Sequence, residues 1–161
     1  MSHRIGQGVD VHAFSDDPDR VLVLGGVTVE DALGLEGHSD ADVLSHACAD
    51  AVLGAAGLGD LGDHFPDTDP QWANADSLEL LARVVWLAGQ RGYAVVNCDA
   101  TVLLERPRLR PYVQQMRERL AQVLSVEVSC VSVKAKTGEG LDAVGERRAV
   151  TAHAVVLLQK I

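Results

Sequence analysis

Asp10 and His12 are one residue apart in Gly6-Gln7-Gly8-Val9-Asp10-Val11-His12, a stretch in which Ile5, Val9 and Val11 recur at two-residue spacing. That period predicts a β-strand, and strand side chains alternate between faces, so the carboxylate and the imidazole project side by side. His46 lies in a second patterned stretch, Asp40 to Gly57, where Val43, Leu44, Ala47, Ala51 and Ala55 form an apolar helical stripe. An Asp-x-His on a strand, met by a His from a helix, is a three-ligand zinc set that leaves a fourth position for water or substrate. On the same helix Asp42, His46 and Asp50 share a polar face at four-residue spacing. A carboxylate beside His46 is therefore expected to orient its ring.

Other elements must hold these residues in place. Arg20 to Glu30 reads as two short strands around a bend or bulge at Gly25-Gly26, where Gly26 admits a close approach of backbone or ligand. Ser39, three residues before Asp42, resembles the start of a capping box for the first helix. Gly57 to Pro70, dense in Gly, Asp and Pro, reads as a surface loop. Asp76 to Arg91 predicts a helix closed at Gly92, with Leu78, Leu81, Ala82, Val85 and Ala88 inward and its charges solvated. Tyr93 to Glu105 predicts a strand broken by Pro107 to Pro111, and a helix from Pro111 burying Val113, Met116, Leu120 and Val123. Val126 to Lys136 and Ala149 to Leu158 read as strands joined by a glycine-rich loop. The whole is expected to be one domain, residues 1 to 161, of α+β class: two layers, a mixed sheet with helices on one face.

With 47% hydrophobic but only 4% aromatic residues, the core must be built from Val, Leu and Ala. The formal net charge of -9 argues against nucleic acid and anionic membranes as partners. It would also repel a phosphorylated substrate unless metal ions and local cations invert the field. Cys48, Cys98 and Cys130 are widely spaced and form no C-x-x-C pattern, so they read as core thiols of a reducing compartment. No apolar signal or spanning segment is present, and the expected location is the cytoplasm.

Arg4 to His12, His38-Ser39-Asp40-Ala41-Asp42-Val43, Gly59-Asp60-Leu61-Gly62, His64 to Asp69 and Val133-Lys134-Ala135, in this order and spacing, resemble the 2-C-methyl-D-erythritol 2,4-cyclodiphosphate synthase family over nearly the whole chain. The resemblance implies cyclisation of 4-diphosphocytidyl-2-C-methyl-D-erythritol 2-phosphate with release of CMP, in non-mevalonate isoprenoid synthesis. It implies a homotrimer with active sites between subunits, Zn2+ on Asp10, His12 and His46, and Mg2+ or Mn2+ at the substrate diphosphate, held by Glu139. His38 and Ser39 match a loop that closes over the substrate, and Thr137 matches a diphosphate contact. Asp60, Gly62, Phe65 and Asp67 match binding of the methylerythritol hydroxyls. Leu104, Arg108, Leu109 and Arg110 match one side of a cytidine pocket, and Ala135, Lys136 and Thr137 the other.

The implied chemistry suits the residues present. The substrate's own phosphate attacks, so no Ser-His nucleophile is needed, only orientation of like-charged groups and dispersal of their charge. Two departures from the family pattern stand out. Lys136-Thr137-Gly138 replaces Thr-Thr-Thr, adding a cation beside the diphosphate. Gly145-Glu146-Arg147-Arg148 reverses the charge order of the family's Gly-Arg-x-Glu, which argues against an anion on the trimer axis. The competing readings are a phosphohydrolase in which metal-bound water attacks, and a non-catalytic trimer that holds a nucleotide or isoprenoid phosphate.

Overall fold

The computed structural model describes residues 2 to 161. Four strands form a mixed sheet in the order β1 (His3–Ala13), β6 (Ala149–Lys160), β4 (Tyr93–Leu103), β5 (Val131–Lys136). The β1/β6 and β6/β4 pairs are antiparallel, and β4/β5 is parallel. A separate hairpin, β2 (Val21–Leu24) and β3 (Val27–Leu33), turns at Gly25-Gly26, where both φ angles are positive, 58° and 72°. Two left-handed residues at a two-residue hairpin turn are what glycine permits. The pairing irregularity lies elsewhere, between Val21 and Leu22.

One face of the sheet is covered by α1 (Val43–Ala56), with α3 (Ser77–Gln90) and α4 (Val113–Leu124) beyond it; α2 (Leu61–His64) and α5 (Asp142–Gly145) are single turns. Helix α1 is the centre of the core, and Leu44, Ala47, Cys48, Ala51, Val52 and Leu53 are fully buried. It sits unusually close to β1. A Cβ placed on Gly6 would lie 1.8 Å from the Ala51 carbonyl oxygen, and one on Gly8 1.9 Å from that of Ala47. The glycines of Gly6-Gln7-Gly8 thus let helix backbone rest on strand backbone. The opposite sheet face leaves Ile5, Val9, Val11 and Val155 exposed.

Several expectations are corrected. The N-cap of α1 is Asp42, whose carboxylate accepts from Ser45 N, while Ser39 Oγ accepts from the backbone N–H of the nearer Ala41. Gly26 approaches a side chain, Leu78. On α3, Leu80 and Val84 are buried and Ala82 is exposed. The stretch before β5 is a 3-10 turn, Val128–Cys130, because Arg117 on α4 donates to the carbonyls of Val128 and Val131. Helix α4 starts at Val113, after Tyr112 as cap, and buries Ala121 and Leu124 together with Met116 and Leu120.

Candidate active site

Strand β1 delivers Asp10 and His12, and the seating of α1 on Gly8 brings His46 over them. Asp10 Oδ2 lies 2.8 Å from His12 Nε2 and 3.0 Å from His46 Nδ1. This is the one cluster of metal-ligand type among the described residues, with ligand atoms within 4.8 Å of one another.

The outer ring nitrogens are already committed. His12 Nδ1 faces the Glu36 carbonyl and must donate to it. Ser77 Oγ donates to Asp40, so it accepts from His46 Nε2, 2.8 Å away. Ser39 Oγ lies 3.2 Å from the same nitrogen. In the neutral tautomers, then, the inner nitrogens carry lone pairs, and both aim at a carboxylate oxygen. Three electron-pair donors converging on one point require a cation, either ring protons or a metal ion, and the set fits a divalent ion of zinc type. Burial pushes the Asp10 carboxyl up, but hydrogen bonds from His12 and His46 prevail and hold it at about 2. Burial lowers the proton affinity of His12, yet the hydrogen bond and charge of Asp10 leave it raised.

The carboxylates expected to orient His46 are occupied elsewhere. Asp42 is fully buried and accepts from Gly25 N, Gly26 N and Ser45, tying the hairpin turn to α1. Asp50 accepts from Leu61 N. The orienting group is instead Asp40, acting through Ser77 at the start of α3. Thirty-seven residues separate that pair, and nothing in the sequence marked it beyond a helix start.

A cavity of about 430 Å³ holds Asp10, His12 and His46 together with His38, Ser39, Gly62, Phe65 and Asp67. Phe65 packs edge-on against Trp72, 4.9 Å between ring centres, and Trp72 also lines the cavity. Asp60 is not part of this lining: it caps α2 in a reciprocal pair with Asp63.

A second cavity, about 230 Å³, brings together Leu104, Arg108, Leu109, Arg110, Ala135, Lys136 and Thr137. Arg106 adds a further cation, so the wall is basic although the chain is acidic overall. Glu105, not singled out from the sequence, lines the same cavity and accepts from Gly138 N. Glu139 lies outside both cavity linings, next to Thr137, whose Oγ1 donates to it at 3.0 Å. Glu146 and Arg148 are paired with each other at 2.6 Å. No helix among the described residues is long and apolar enough to cross a membrane.

An Asp-His-His cluster suited to a divalent metal in one cavity and a basic wall in another are the parts that an enzyme of phosphate chemistry uses. The YgbB family model matches residues 3 to 159. The chain is 57% identical over 154 residues to the 2-C-methyl-D-erythritol 2,4-cyclodiphosphate synthase of Symbiobacterium thermophilum, covering 96% of this chain and 97% of that one. The synthase of Thermosynechococcus vestitus is 53% identical over 159 residues, 99% of this chain and 98% of the relative. Among solved structures, the bifunctional IspDF of Campylobacter jejuni superposes with a TM-score of 0.94 at 38% identity, over 99% of this chain and 43% of that longer one. The CDP complex of Plasmodium falciparum IspF superposes with 0.85 at 32% identity, over 99% and 97% of the two chains. The chain belongs to the YgbB family, the 2-C-methyl-D-erythritol 2,4-cyclodiphosphate synthases. It is a phosphorus-oxygen lyase that closes the cyclic diphosphate and releases CMP in non-mevalonate isoprenoid synthesis.

Proposed function

We propose that Asp10, His12 and His46 hold a Zn2+ ion, and that Glu139 holds Mg2+ or Mn2+ at the diphosphate of 4-diphosphocytidyl-2-C-methyl-D-erythritol 2-phosphate. The observation that carries this reading is the convergence of Oδ2, Nε2 and Nδ1 on one point, with both outer ring nitrogens already engaged. When bound, the ions act as Lewis acids that polarise phosphoryl oxygens and disperse charge.

The chain's own groups do the positioning. Phe65 and Asp67, in the cavity of the metal set, face the methylerythritol unit. His38 and Ser39 border the phosphate. Thr137 orients the diphosphate, and Lys136, Arg108 and Arg110 offset its charge where a net charge of -9 would otherwise repel it. Leu104, Leu109 and Ala135 enclose the cytosine. No residue of either cavity has to serve as nucleophile, since the 2-phosphate is already anionic; holding it in line removes on the order of 7 to 11 kcal/mol from the barrier.

The working unit in this reading is a homotrimer. The metal cavity and the basic cavity share no lining residue, and the sheet face away from α1 leaves the apolar side chains of Ile5, Val9, Val11 and Val155 exposed in the single chain. Packing three such faces together would let the metal cavity of one subunit meet the basic cavity of the next. The reduced thiols Cys48, Cys98 and Cys130 suit a cytoplasmic location. Co-refolding inactive Asp10→Asn with inactive Thr137→Ala tests the shared site. Random mixing should restore roughly one quarter of wild-type activity, because that fraction of sites pairs two intact halves. No recovery in mixed trimers would contradict sites between subunits.

A further inference from the structure

The segment from Leu35 to Ser39 supplies contacts to both imidazoles of the metal set: the Glu36 carbonyl to His12, and Ser39 Oγ to His46. Gly37 lets it pass close to His12, because a Cβ there would stand 3.2 Å from the ring. On the side away from β1, the segment is gathered onto a single side chain. Arg20 donates from Nε to the Leu35 carbonyl, and from one terminal nitrogen to those of Gly37, at 2.9 Å, and Ser39, at 2.7 Å. Arg20 is itself fixed at the entrance to β2, its N–H donating to Asp17 O and its carbonyl accepting from Gly34 N.

We infer that Arg20 is a positioning residue for the metal-binding imidazoles, acting through the Glu36 carbonyl and Ser39. Its planar fork spans three carbonyls of alternate residues, and a lysine ammonium, a single point of charge, does not. Without the fork, the three carbonyls lose their donor, the segment relaxes, and Glu36 O no longer holds the proton on His12 Nδ1. The inner nitrogen of His12 is then free only part of the time, and metal affinity falls as it does when a ligand's outer hydrogen bond is removed. Arg20 touches neither substrate nor metal in this role.

The inference rests on the metal role of Asp10, His12 and His46, and the test separates the two. Zinc affinity is measured by competition with a chromophoric chelator, in wild type, Arg20→Lys, Arg20→Gln and His46→Ala. The His12 tautomer of the metal-free proteins is read by nitrogen-15 NMR on the alkaline plateau, where the His12 ring shifts no longer change with pH. Far-UV circular dichroism selects the Arg20 variant that retains the wild-type fold. That variant should bind zinc about 10- to 100-fold more weakly, and its His12 should pass from the Nδ1–H form to a mixture. Zinc affinity within about twofold of wild type, or a His12 still wholly in the Nδ1–H form, overturns the role of Arg20. Wild type binding no more tightly than His46→Ala would instead overturn the metal reading.

Discussion

Gly8 lies directly beneath Ala47, so close that a Cβ on residue 8 would fall 1.9 Å from the Ala47 carbonyl oxygen. The obstacle is backbone, which cannot rotate aside, and Ala47 follows the metal-set residue His46. Gly8→Ala should therefore lift α1 from β1, costing on the order of 3 kcal/mol in urea unfolding. Zinc affinity should fall with it, because the same shift withdraws His46 from Asp10. Wild-type stability in this variant would refute the close seating.

Asp42 is the second tie on α1. Its fully buried carboxylate receives Gly25 N, Gly26 N, Ser45 N and the Ser45 hydroxyl. Asp42→Ala orphans these donors and removes the helix cap, for a loss of about 3 kcal/mol or more by denaturant titration. Asp50→Ala, which frees the single Leu61 N–H, should cost about 1 kcal/mol.

The metal-free protein should show a stability plateau bounded by two titrations. The Asp10 carboxyl, about 2 when folded against an ordinary 3.8, stabilises fully above 3.8, and this contribution is lost as pH falls through about 2. The proton affinity of His12 is raised above its ordinary 6.5. Its contribution is complete below 6.5 and lost as pH rises through the folded value. Urea unfolding across this range should show both edges in wild type and neither in Asp10→Asn. An unchanged profile in that variant would dissociate the stability from the Asp10 pair.

Ser77→Ala should leave α3 in place, because Asp40 still accepts from the backbone N–H of residue 77. What it removes is the nearer acceptor for His46 Nε2–H, at 2.8 Å, leaving only Ser39 Oγ at 3.2 Å. Zinc affinity should fall about tenfold while thermal stability barely moves. An equal loss of both would make Ser77 a structural residue only.

How much of this was legible in the sequence depended on range. Strand β1 and helix α1 announce themselves because apolar period and glycine position agree, and the Asp-x-His and His46 follow from them. The capping residue of α1 was misplaced because Ser39 and Asp42 imitate a capping box, whereas Asp42 is itself the cap. The early start expected for β5 came from alternating valines at 126 and 128, a pattern overridden by Arg117 drawing the carbonyls of Val128 and Val131 toward α4. The Asp40-Ser77-His46 relay and the three carbonyls on Arg20 were invisible for a different reason. They join residues far apart in the chain through contacts that leave no periodic trace.

The most direct test of the whole account is phosphorus NMR of the protein with 4-diphosphocytidyl-2-C-methyl-D-erythritol 2-phosphate, zinc and magnesium in oxygen-18 water. Attack by the substrate's own phosphate predicts equimolar CMP and cyclic diphosphate with no solvent oxygen in either. Oxygen-18 in a phosphate product would mean that water attacks, and would contradict the account.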